Sequence, residues 1–117
     1  MATHPGPQPL VSAPEDSLLA EAVRRLVEVY RPVRIYLFGS RARGNAAADS
    51  DYDFLVVVPD GVPRERLDPV RGYQCLRGLG IAKDVLVWKQ SDFEDRLHLK
   101  ASLPATVAAE GKLLYAA

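Results

Sequence analysis

Phe54-Leu55-Val56-Val57-Val58 is apolar at five consecutive positions, and Asp51-Tyr52-Asp53 heads the run. Side chains on a strand alternate between faces, so Tyr52, Phe54, Val56 and Val58 fall on one side and Leu55 and Val57 on the other. A strand apolar on both sides belongs in the middle of a sheet that is covered on both faces. Two carboxylates at the mouth of such a strand need a physical reason.

Asp51 and Asp53 project from the same face, with Cα atoms roughly 6.5 Å apart at about 3.3 Å per residue. Two bare carboxylates brought together repel by about 4 kcal/mol at 4 Å and an effective dielectric of 20, unless a cation or proton lies between them. A divalent ion removes that cost. Hard oxygen ligands that leave room for water and phosphate oxygens suit Mg²⁺, and Mn²⁺ fits the same donors. The bland alternative is that Asp51 caps a turn and Asp53 is solvated on an edge strand.

Upstream, Val33-Arg34-Ile35-Tyr36-Leu37-Phe38 reads as another strand, ending at Gly39-Ser40 and followed by Arg41-Ala42-Arg43-Gly44, which has the makings of one short helical turn. Strand, glycine and helix start together form an anion site: glycine admits a phosphate close to the backbone, Ser40 donates its hydroxyl, and first-turn N–H groups point outward. Arg41 and Arg43 have the reach for phosphate oxygens, the alternative for one of them being a pair with an acid on the surface. The P-loop pattern is absent. A third acid, Asp84, lies near the start of a further strand, Ala82 to Trp88. If that strand pairs beside the Asp51 to Val58 strand, Asp84 faces the same pocket as a metal ligand or as the base for an attacking hydroxyl. Otherwise it is a surface aspartate beside Lys83.

Gly39-Ser40, a ten-residue interval, Asp51-Tyr52-Asp53 and the later Asp84 together resemble the minimal nucleotidyltransferases of the DNA polymerase beta superfamily. The resemblance runs from about Leu18 to Tyr115. It implies an α+β fold, a small mixed β-sheet with helices packed against it, and Mg²⁺ at Asp51 and Asp53 with Asp84 as third acid. It also implies the phosphates of ATP or another NTP at Gly39 and Ser40. Such proteins are often encoded beside a small helical HEPN ribonuclease toxin and act as its antitoxin, and members of the group transfer AMP from ATP to a tyrosine of that toxin. Three functions stay open on these residues: a protein adenylyltransferase antitoxin, a nucleotidyltransferase for a small molecule or RNA end, and an antitoxin that only binds its toxin.

A chain of 117 residues holds one domain, expected over 12–117, and buries somewhat over roughly 60% of its unfolded surface. Fifteen basic residues balance fifteen acidic ones without a dense Lys/Arg block, which excludes a general nucleic-acid binder. Cys75 is the single cysteine and lies in an expected helix as a small apolar group. With no signal peptide and no apolar run long enough to span a membrane, the cytoplasm is the expected compartment. Exposed apolar surface on so small a domain fits homodimerisation or a partner protein.

Residues 1–11, with three prolines and a glycine, are expected to be a disordered tail. Ser12-Ala13-Pro14-Glu15 resembles a capping box ahead of a helix whose core stripe is Leu19, Ala22, Val23, Leu26, Val27 and Tyr30. A turn at 59–63 precedes a weaker helix over about Arg64 to Leu79, broken near Gly78 and Gly80. Ser91 and Glu94 read as a second capping box, opening a helix through about Lys100 with His98 on its surface. Pro104 starts a final helix ended by Gly111, and Lys112 to Tyr115 reads as a closing strand.

Overall fold

The computed structural model describes residues 16–39, 42 and 51–117. The expected tail, the Ser12–Glu15 capping box, Ser40, Arg41 and Arg43 lie outside the described residues. The elements are α1 (Asp16–Tyr30), β1 (Arg34–Phe38), β2 (Tyr52–Val58), a 3₁₀ turn (Arg64–Leu67), α2 (Pro69–Cys75), β3 (Lys83–Lys89), α3 (Gln90–Asp95), α4 (Leu103–Glu110) and β4 (Lys112–Ala116). Among the described residues the strands form one mixed sheet in the order β3-β2-β1-β4. β1 runs antiparallel to β2 and β4, whereas β2 and β3 run parallel.

β2 is the buried spine that its apolar run demands: Phe54 to Val58 are each no more than 1% exposed. Its two faces feed two cores. Phe54, Val56 and Val58 pack with Leu19, Ala22, Val23, Leu26 and Tyr30 of α1 and with Leu76 just beyond α2. Leu55 and Val57 pack with Phe93 of α3 and Val107 of α4. Helices therefore cover both faces of the sheet, and the α1 stripe read from 3.6-residue periodicity is the one that is buried, with Val27 at its margin.

Two expected helices differ. The stretch 64–79 is not one helix broken at its glycines. It divides at Asp68, whose carboxylate accepts from Val70 N–H at 3.0 Å and caps α2, with Pro69 in the first turn where no N–H is needed. The second difference is the Ser91/Glu94 capping box. Lys89, not Ser91, is the N-cap; Ser91 N–H donates to Asp60 Oδ1 at 2.9 Å, and Glu94 accepts from Arg34 of β1 at 3.1 Å. Both box partners are taken by groups distant in sequence, and α3 ends at Asp95 rather than near Lys100. The final helix is as expected, with Ser102 accepting from Ala105 N–H and Gly111 at its end.

Tyr30 fixes α2 to α1. Its buried hydroxyl donates to Asp68 C=O at 2.7 Å and accepts from Gly72 N–H at 2.8 Å, satisfying a first-turn amide of α2. At the other end Arg25 donates to the carbonyls of Cys75 and Arg77. Gly72 lets α2 lie close on β3, since a Cβ there would stand 2.7 Å from Val85 Cγ1. Cys75 is half-buried rather than fully buried, its thiol pushed up in pKa by burial and donating to Gly72 C=O.

Candidate active site

Strand directions bring the candidate residues to one end of the sheet. β1 ends where the antiparallel β2 begins, so Phe38 is the Cα partner of Asp53 and Gly39 follows immediately. β3 starts at the same end as its parallel neighbour β2, making Asp84 the register partner of Asp53. Neighbouring strands lie about 4.8 Å apart, so these two carboxylates share one face at close range. The condition attached to Asp84 in the sequence, that its strand pair beside β2, is met.

Gly39 has φ of +79°, a left-handed conformation that suits glycine. A Cβ there would collide with the Asp53 carboxylate. The residue thus makes room for Asp53 in addition to presenting backbone at the strand end, and its carbonyl accepts from Ala42 N–H at 3.1 Å as the chain turns. Asp51 and Asp84 are exposed, whereas Asp53 is partly buried.

Burial raises the pKa of Asp53, and the neighbouring charges of Asp84 and Asp51 raise it further. Among the described residues no Lys or Arg pairs with these acids. An anionic, oxygen-only donor set short of positive charge fits a hard divalent cation. Among the described residues no three His, Cys, Asp or Glu side chains converge into a metal cluster, and Asp84 directs Oδ1 at the hydroxyl of Tyr73.

Tyr73 is the residue that sequence reasoning missed. Its hydroxyl donates to Asp84 and accepts from Val85 N–H at 3.2 Å, and the bond to Asp84 leads the causes that raise its own pKa. Nothing in the local sequence of α2 marks it, because its meaning depends on where β3 lies. A groove of about 510 Å³ beside Arg24, Arg31 and Tyr115 lies at the opposite end of β1 and contains none of these acids.

The site is thus a pair of carboxylates on neighbouring strands beside a glycine turn, on a mixed sheet covered by helices. Residues 17–111 match the nucleotidyltransferase domain, and the chain belongs to that family. Domains of this family generally use an NTP and a divalent metal. A crystal structure of a proposed nucleotidyltransferase from Sulfolobus solfataricus is similar, at 26% identity and a TM-score of 0.51 over 68% of this chain and 70% of that one. Among proteins of curated function, none matches. Among the described residues no helix is long and apolar enough to cross a membrane.

Proposed function

We propose that this protein transfers a nucleoside monophosphate, most simply AMP from ATP, to a tyrosine hydroxyl of a HEPN-type toxin for which it is the antitoxin. The pairing of Asp53 with Asp84 beside Gly39 carries the transfer chemistry. The acceptor rests on the resemblance to minimal nucleotidyltransferases, supported by the exposure of Asp51 and Asp84, which leaves the site open to a macromolecule.

Asp51 and Asp53 would hold Mg²⁺ or Mn²⁺, with Asp84 beside them. When bound, the ion supplies positive charge to the triphosphate and to the pyrophosphate that departs. Gly39 and Ser40 bind phosphate oxygens through backbone N–H and hydroxyl, while Arg41 and Arg43 neutralise phosphate charge. Asp84 accepts the proton of the acceptor hydroxyl, whose oxygen bonds to the α-phosphorus as the bond to the β-phosphate oxygen breaks. Catalysis on this scheme is positioning and electrostatics.

The test is transfer of α-labelled AMP from ATP, with Mg²⁺, to a purified HEPN-type protein, comparing wild type with Asp53→Asn. We expect label on a tyrosine of the partner and a loss of at least about a hundredfold in the variant. Label on RNA ends or on a small molecule instead would move the acceptor to that class. Toxin neutralised with no label transferred would leave a protein that acts by binding alone.

A further inference from the structure

Asp84 is exposed and stands at the start of an edge strand, a place where a carboxylate ordinarily samples several rotamers. Here it does not stand alone. The Tyr73 hydroxyl donates to Asp84 Oδ1 and accepts from the backbone N–H of Val85, the next residue along β3. The phenol is therefore fixed in the frame of the strand segment whose side chain it orients. It is also held from its own side. Gly72 brings α2 against Val85, and the Tyr30 hydroxyl grips Gly72 N–H and Asp68 C=O, so the residue before Tyr73 is anchored to two other elements.

A carboxylate has two oxygens and about four acceptor sites, and Tyr73 occupies one oxygen. We propose that Tyr73 is a positioning residue for nucleotidyl transfer, holding Asp84 through Oδ1 so that Oδ2 is kept for the proton of the acceptor hydroxyl. This inference rests on the nucleotidyl-transfer reading above. The arrangement adds a neutral hydrogen-bond donor to the acidic site without adding a cation that would compete with a metal or the triphosphate. It also supplies the acceptor that the edge amide of Val85 would otherwise find only in water.

The experiment compares wild type, Tyr73→Phe, Asp84→Asn and the double variant, by calorimetric binding of ATP with Mg²⁺ and by transfer of α-labelled AMP to a purified HEPN-type protein. Amide hydrogen exchange at Val85 is read alongside in the absence of metal and nucleotide. Phenylalanine keeps the ring and its packing and removes only the hydroxyl. We expect Tyr73→Phe to lower kcat by roughly tenfold to a hundredfold while ATP affinity stays within about twofold, because misplacing a reacting group costs rate rather than ground-state binding. Val85 exchange should quicken. The double variant should be no slower than Asp84→Asn, since a residue acting through Asp84 has nothing left to orient. Wild-type transfer rates in Tyr73→Phe, or losses that multiply in the double variant, would overturn the positioning role while leaving the transferase intact. Absence of transfer by wild type would overturn the functional reading and this inference with it.

Discussion

Asp53 is partly buried and shares its strand end with two other carboxylates, and its ionised form is disfavoured by both circumstances. The consequence for stability has a definite sign. A carboxyl whose folded pKa stands above its ordinary value of 3.8 favours the folded state most at acid pH, and that contribution is lost as pH rises through the folded value. At pH 7 the full cost of the charge stands in the metal-free protein. Asp53→Asn is therefore expected to melt higher than wild type at pH 7, with the gap closing below about pH 4, while transfer is abolished. A lower melting temperature at pH 7 by calorimetry would contradict this account. Excess Mg²⁺ should raise the wild type and leave the variant nearly unmoved. The gathering of Asp53, Asp84 and Gly39 at one end of the sheet was legible because acids heading apolar runs and a glycine at a strand end stand out against their local pattern. Tyr73 was not, since its partner lies eleven positions further on and is reached only when α2 packs on β3.

Between elements, the clamp made by Tyr30 ties the first turn of α2 to α1. The phenol is 1% exposed, and burial holds its pKa up at about 12 against an ordinary 10.0. Tyr30→Phe should cost about 1–3 kcal/mol at neutral pH, because Gly72 N–H and a lone pair of Asp68 C=O lose a buried partner. In wild type the contribution of the neutral phenol is fully present below pH 10.0 and is lost as pH climbs towards about 12. Denaturant titrations should show that alkaline decline flattened in the variant; an unchanged slope would remove Tyr30 as its source. The helices show where local reading fails. α4 carries its own punctuation in Ser102, Pro104 and Gly111, so its limits follow from neighbours in sequence. α2 likewise starts on a local signal, Asp68 and Pro69, which divides the stretch 64–79, whereas α3 takes its limits from elsewhere: Asp60 captures the Ser91 amide and Arg34 captures Glu94. Two capping patterns of equal local merit are separated only by the distant groups that compete for them.

Across the molecule, one core joins α1, α2 and all four strands, from Leu19 through Phe54 and Val85 to Leu114. Leu114 is fully buried, and its β4 neighbours along the backbone pair with β1. Leu114→Ala is expected to cost about 2–5 kcal/mol, a range set by how far the cavity collapses. The loss should appear as one cooperative shift of the whole unfolding transition, measured by urea titration. A separate early transition confined to β4 would show that the strand is an independent appendage. The central place of β2 was legible because it is apolar on both faces, and the mixed sheet was what the family resemblance implied, but the strand order was not legible, since periodicity says nothing about which strands become neighbours. That order has a consequence for how the protein is made. β2 follows β1 closely in the chain, yet the second edge of β1 stays open until β4, near residue 116, has been synthesised. Until then a nascent chain on the ribosome carries an unsatisfied hydrogen-bonding edge, the interval in which such chains add to one another or are met by chaperones.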